Sequence, residues 1–357
     1  MIEGRWAPTA TTLPQGMALV AGGWDGLQTV QSAELYYEPT NSFLETGPLA
    51  VGRNFATATL LDNGKVLVAG GFHGVYGSLN EAELYDPLSG TFRPTLGLMN
   101  ARRELFTATK LPNGKVLLVG GLNANTNVTE PSAELYDPAT ETFKPTGSLS
   151  VSRFGHDAVY LPTVNKVLVV GGKQHSSASA GWFAQNTAEL YDVATGKFTR
   201  TKAMASQRDR PTVCWVPALK KALVIGGKSE ANGVSADVLP TEWFDPATGA
   251  FTKGPSLAQG RMAHTLTALP DGSFLAAGGW NVSLNRTLAT AERFVPSISS
   301  TTGGSFVAAG TMSHSRHDGG AALLPDGKVL VAGGKEVNQN PGAPPADYLS
   351  HGDLYSP

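Results

Sequence analysis

Seven of the Gly-Gly pairs in this chain of 357 residues recur at a near-constant spacing: Gly22-Gly23, Gly70-Gly71, Gly120-Gly121, Gly171-Gly172, Gly226-Gly227, Gly278-Gly279 and Gly333-Gly334. The steps between them are 48, 50, 51, 55, 52 and 55 residues. A fixed motif returning at such a period marks a repeat architecture, in which one unit cannot bury its own apolar face and neighbours must cover it. Length alone would allow two domains. Seven like units instead argue for one closed body, with units at about 5–46, 53–94, 103–145, 153–200, 208–253, 261–308 and 316–357.

Each unit reads as four strands. The first follows an arginine: Arg5, Arg53, Arg103, Arg153, Arg208, Arg261 or Arg316. In the third unit it runs Arg103-Glu-Leu-Phe-Thr-Ala-Thr-Lys-Leu-Pro-Asn-Gly, a strand closed by a hairpin turn. The second is a short apolar run ending in the glycine pair, as in Lys115-Val-Leu-Leu-Val-Gly120-Gly121, which predicts a strand buried on both faces. The third centres on an acid with an aromatic two residues later, in most copies with an apolar residue between them, beginning at Glu34, Glu83, Glu134, Glu189, Glu242, Glu292 and Asp353. Proline then stops the pairing and starts a turn. A fourth strand carries one aromatic: Phe43, Phe92, Phe143, Phe198, Phe251 or Phe306.

The glycine pair, the aromatic about thirteen residues after it and the aromatic of the fourth strand resemble the kelch-repeat family along essentially the whole chain. That resemblance implies an all-β, seven-bladed β-propeller of four-stranded antiparallel blades, of the kind that forms the central domain of galactose oxidase. It also implies that the first strands line a central channel, with the loops before strand one and after strand two opening on one face. The seventh unit stops at Pro357, just past Tyr355, so its fourth strand is missing from the sequence. Residues 1–4 are too short to supply that strand. Either the chain is an excised piece or the last blade has three strands.

Composition excludes several classes. A net charge of −2, with 16% charged residues, offers no basic nucleic-acid footprint. No apolar run is long enough for a membrane span. The lone Cys214 rules out an intrachain disulfide and reads as a small buried hydrophobe. Residues 2–5, Ile-Glu-Gly-Arg, resemble a protease recognition tag, although Arg5 stands in register with the other arginines. Low lysine and abundant Thr, Ser, Asn and Gly point to a secreted, extracytoplasmic bacterial protein, with the cytoplasm as the alternative.

What recurs in every unit reads as frame. The arginines and third-strand acids are expected to bond to each other or to carbonyls, tying blades together. The functional alternative is a cationic ring, Arg153, Arg208, Arg261 and Arg316 with Arg210 beside it, that captures carboxylates or sulfates. What breaks the symmetry is the better guide to a site. After the arginines come Glu104, then His156 with Asp157, then Asp209-Arg210, His264, and His317-Asp318. His156 and His264 occupy a slot that in the family often holds a structural histidine. His317 and Asp318 depart from the pattern, and a histidine beside a carboxylate suits acid–base work. The catalytic candidates are therefore His317, Asp318, His156, Glu104 and Asp209. The second residue after each glycine pair is polar throughout, and His73, Gln174, Asn281 and Glu336 join Trp280 as candidate ligand contacts. Trp182 lies in the longer loop of blade 4, either packed locally or stacked on a ligand such as a sugar. The loop of blade 7, 338–347, is also long. No ligand spacing supports a metal, and no cofactor is expected.

Kelch propellers often serve as interaction platforms, so the resemblance favours a binding module recognising a protein or carbohydrate at the channel mouth, within a larger chain in one version of this reading. The alternative is a carbohydrate-active enzyme of isomerase or lyase type using the Arg, His and acid groups of the same face. Copper oxidase chemistry of the related kind needs a cysteine cross-linked to tyrosine, and Cys214 sits inside a strand.

Overall fold

A computed structural model describes residues 1–176, 181–231, 233–337 and 347–357. Six antiparallel sheets of four strands and one of three stand around a central axis. In blade 3 the strands are Thr107–Lys110, Val116–Val119, Ala133–Asp137 and Thr142–Pro145, in sequence order from channel to rim. The second strands, such as Val116–Val119, are wholly buried because blades cover both of their faces. Apolar clusters fill all seven junctions between neighbouring blades. The only helical element among the described residues is a single 3-10 turn, Glu38–Thr40, and no helix is long and apolar enough to cross a membrane.

The glycine pairs hold blade to blade. The second glycine of each pair donates its N–H to the carbonyl of the next blade's arginine, from Gly23 to Arg53 at 2.8 Å round to Gly334 and Arg5 at 2.7 Å. The first glycine has a positive φ and no room for a side chain: a Cβ on Gly120 would lie 2.6 Å from the Arg153 oxygen. Close approach of two backbones at seven junctions is what the motif encodes.

The arginines lie inside the blades. All seven are 0–1% exposed. Arg103 donates through Nη1 to the carbonyls of Gly120 (2.7 Å) and Ser132 (3.1 Å), and through Nη2 to Glu134 at 2.8 Å. Glu134 in turn accepts the amides of Asn100 (2.7 Å) and Ala101 (3.1 Å), which belong to the linker arriving from blade 2. The Arg–acid pair thus locks a blade internally, and the acid anchors the chain as it enters. The same pairing recurs to Arg316 and Asp353.

Blade 7 consists of Gly320–Leu323, Val329–Ala332 and Gly352–Tyr355. Residues 1–4 do not pair with its outer edge. They form the linker into blade 1: the Met1 amino group donates to Ser350 O at 2.9 Å, as Leu49 N does to Gln31 O, and Ile2 N donates to Glu34. The loops after the second strands are more ordered than their polar sequences imply. In six blades they fold as two-stranded ribbons, such as Lys173–Ser176 with Gly181–Ala184. The stretch 338–346 of the blade 7 loop lies outside the described residues.

Candidate functional site

Two residues beyond each arginine the backbone turns left-handed, at Ala7, Phe55, Leu105, Gly155, Arg210, Ala263 and Asp318, with φ between 50° and 59°. Each of these residues donates its N–H to the carbonyl of its counterpart in the preceding blade, at 2.8 to 3.3 Å, and Ala7 closes the circle onto Asp318. Seven backbone hydrogen bonds therefore form an unbroken ring around the channel. The conformation is costly for side chains such as Phe and Leu, and the inter-blade bond offsets that cost. The ring also decides which side chains meet at the mouth.

Arg210 of blade 5 reaches past blade 6 to Asp318, with Nη1 at 2.8 and 2.7 Å from the two carboxylate oxygens. His317 Nδ1 donates to Asp318 Oδ2 at 2.9 Å, and Trp6 Nε1 does so at 3.2 Å. The His317 ring sits edge-on to Trp6 and to Trp280, with centroids 6.2 and 6.0 Å away. The Arg210 guanidinium lies over Phe55 at 5.3 Å, and Lys335 lies over Trp6 at 5.1 Å. Burial alone would raise the Asp318 carboxyl, but Arg210 and His317 outweigh it and hold the group below the usual carboxylate range.

Across the mouth stand Asn54 and Glu104. Both are buried, and among the described residues Asn54 Oδ1 and Glu104 Oε2 have no hydrogen-bond partner. Burial pushes the Glu104 carboxyl up to about 7, against the pull of Arg210. Beneath the ring, a cavity of about 240 Å³ is lined by Leu105, His156, Asp157, Arg210, His264 and Asp318 among others. Asp157 accepts the amides of Val213 (2.7 Å) and Ala158 (2.8 Å), and burial raises it to about 6.

The structure places the remaining sequence candidates as follows. Arg153, Arg208, Arg261 and Arg316 offer no ligand-capturing ring, because each is enclosed and bonded within its own blade. His156 and His264 are buried bolts between blades, their Nε2 atoms bonded to Thr107 and Thr212 of the preceding blade at 3.2 and 2.8 Å. Burial, then the charge of Arg153 or Arg261, lowers both to about 3, so they stay neutral. Asn281 is buried and donates to Gly260 O at 2.7 Å. His73 stacks on Tyr76 and accepts two loop amides at an exposed tip. Glu336 accepts from Ser315 at 2.7 Å. Gln174 pairs with Phe183 in the blade 4 ribbon, and Trp182 packs on Phe154 and His175. Asp209 lies between Lys173 (3.5 Å) and Lys228 (3.8 Å), which also share Glu230.

Of the sequence candidates, then, His317, Asp318, Arg210, Trp280, Glu104 and Asp209 stand on the mouth. Trp6, Asn54, Phe55 and the lysines 173, 228 and 335 escaped selection. The signal was a matter of alternation. The residue immediately after each glycine pair, not the second, bridges to the residue after the arginine, as in His317 with Lys335 and Met262 with Trp280. Cys214 is an inert core thiol, pushed up by burial. Among the described residues no group of three or more metal-ligating side chains converges.

Comparison with known proteins agrees with this architecture. Residues 55–95, most of blade 2, match the Kelch motif. No curated protein matches the sequence. Many solved chains share the fold, among them the structure of YjhT, 12% identical with a TM-score of 0.66, over 86% of this chain and 98% of that one.

Proposed function

Since the chain folds as a seven-bladed β-propeller with a Kelch motif in its second blade, we propose that it is a binding module that seats a ligand or protein partner at the channel mouth. One observation carries this reading. Arg210 and Asp318 form a fixed ion pair across the opening, walled by Trp6, Phe55 and Trp280 and faced by the unpartnered acceptors of Asn54 and Glu104. Buried acceptors without partners are rare, and they fit a ligand that brings hydroxyl or amide donors. The aromatic wall fits the apolar face of a sugar ring or of an inserted peptide loop. The cavity beneath has room for one such group.

A thermal-shift screen against neutral oligosaccharides, acidic sugars and immobilised proteins followed by titration tests this. A ligand that raises Tm does so by binding the folded state. Its effect is expected to vanish in Glu104→Ala and in Trp6→Ala. A ligand that binds these variants as well as the wild type would remove the mouth from consideration.

A second reading, a carbohydrate isomerase or lyase, draws on Glu104. A carboxyl that burial pushes up to about 7, across the mouth from a His–Asp pair, is suited to proton transfer at neutral pH. Turnover of a bound sugar that is lost in Glu104→Gln, with binding retained, would decide for the enzyme.

A further inference from the structure

The residues that follow the blade arginines stand at one level of the mouth, each bridged to the first residue after its own blade's glycine pair. Two of them are acids, and they differ in their partners. Asp209 of blade 5 bridges to Lys228 and lies 3.8 Å from that ammonium and 3.5 Å from that of Lys173. Glu104 of blade 3 bridges to an apolar residue, Leu122, and its Oε2 has no partner among the described residues. The cation that acts on it, Arg210, is already held by both oxygens of Asp318. Next to it in blade 2, Asn54 bridges to Phe72 and its Oδ1 is unpartnered as well. Asn54 is 3% exposed and Glu104 7%. The donors across the opening are taken, since Arg210, the Trp6 indole and His317 Nδ1 converge on Asp318. At this level, what the described residues leave unmet is acceptor capacity and one counter-charge. A second feature surrounds the first. The connections after the second strands of blades 1 to 6 each hold an apolar side chain out in solvent: Leu27, Val75, Val128, Phe183, Val234 and Leu284, between 42% and 89% exposed. Single exposed apolar residues are ordinary, but one on each of six connections around one opening makes an apolar rim about a polar centre.

We propose that the mouth receives a lysine or arginine side chain carried on a projecting loop of a protein partner, its charged head at Glu104 and Asn54 and the loop resting on the apolar rim. The inference rests on the reading of the mouth as a binding site and names its occupant. An ammonium or guanidinium brings donors only and one positive charge, which is what the two buried acceptors and the uncompensated carboxyl lack. The aliphatic stem of either side chain suits a wall of aromatic rings such as Trp6 and Phe55. A neutral sugar would bring hydroxyls but no counter-charge for Glu104, and an anion would face two bare acceptors. A free amine would leave the six apolar side chains in water. A protein covers them, and a rim that excludes water strengthens a charge pair at its centre.

The test pans a phage library of short randomised loops, held on a rigid scaffold, against the full chain. Surviving loops are expected to share a lysine or arginine at one position. Exchanging that residue of the loop for methionine is expected to weaken binding about tenfold or more, the loss of one buried charge-assisted contact, and this change leaves the folding of the chain untouched. Glu104→Gln, which keeps the shape and removes the charge, is expected to weaken the same loops to a similar degree. Leu27→Ser combined with Val75→Ser is expected to weaken them by a smaller factor. A selection that enriches no loop would overturn the proposal. So would loops without lysine or arginine at a shared position, or basic loops that bind Glu104→Gln as tightly as the wild type. Trp6→Ala separates this inference from the reading beneath it. Binding that is lost in Trp6→Ala but indifferent to Glu104→Gln refutes the cationic occupant and keeps the mouth as a binding site, whereas loops indifferent to both variants remove the mouth itself.

Discussion

Glu104 shows how a single buried group reports on its surroundings. Its carboxyl is raised from 4.5 to about 7, first by burial. The folded state therefore holds a proton that the unfolded chain releases, and the contribution to stability declines as pH rises from about 4.5 through 7. Glu104→Gln mimics the protonated form. It is expected to match the wild type near pH 4 and to exceed it at pH 8 by on the order of 2–3 kcal/mol. Denaturant titrations at the two pH values measure this, and a gap that is equal at both would refute the assignment. His156 and His264 act in the opposite sense: lowered to about 3, they remove stability as pH falls below 6.5. The comparison must therefore be made variant against wild type at each pH, because the histidine contribution cancels only there.

At the scale of the element, two devices make a blade. One is the arginine–acid lock, the other the glycine pair that lets the next blade's backbone approach. Glu134→Ala leaves the Arg103 guanidinium buried without its counter-charge and strips acceptors from Asn100 and Ala101, so a loss of about 3–5 kcal/mol is expected. Combining it with Arg103→Met removes the orphaned charge and is expected to recover part of that loss, which urea unfolding of the single and double variants will measure. His317→Ala, in contrast, touches only the mouth, and a smaller drop is expected with it. Gly120→Ala meets the other device: a methyl 2.6 Å from the Arg153 oxygen, on a backbone at φ 67°, is expected to cost about 2–3 kcal/mol. Thermal melts that leave Gly120→Ala unchanged would show that the junction yields more easily than its geometry implies. Both devices were legible because each recurs seven times at fixed positions. The ribbons after the second strands were not, since short polar loops carry no periodicity to betray pairing.

For the whole molecule, closure is uneven. Around the channel, seven backbone hydrogen bonds run in an unbroken ring, and at the rim, among the described residues, six sheets end in a fourth strand and one in its third. Opening the ring requires two blades to part, whereas Gly352–Tyr355 pairs on one side only. Hydrogen exchange is therefore expected to be slowest, near the rate of global unfolding, at the amides of Leu105, Gly155 and Arg210, and faster by orders of magnitude at the outward amides of Gly352–Tyr355. Equal protection at both places would contradict this distribution of stability. The sequence by itself determined the number of blades, the strand order within each, the buried second strands and the short count in blade 7, because all of these follow from local patterns repeated along the chain. It did not determine that four candidate arginines face inward while Arg210 faces the mouth, or that Arg210 and Asp318, 108 residues apart, become partners. Those outcomes depend on which side of a left-handed turn each side chain leaves, and on a circle that brings blades 5 and 7 to one axis. Only the closed tertiary structure sets either one.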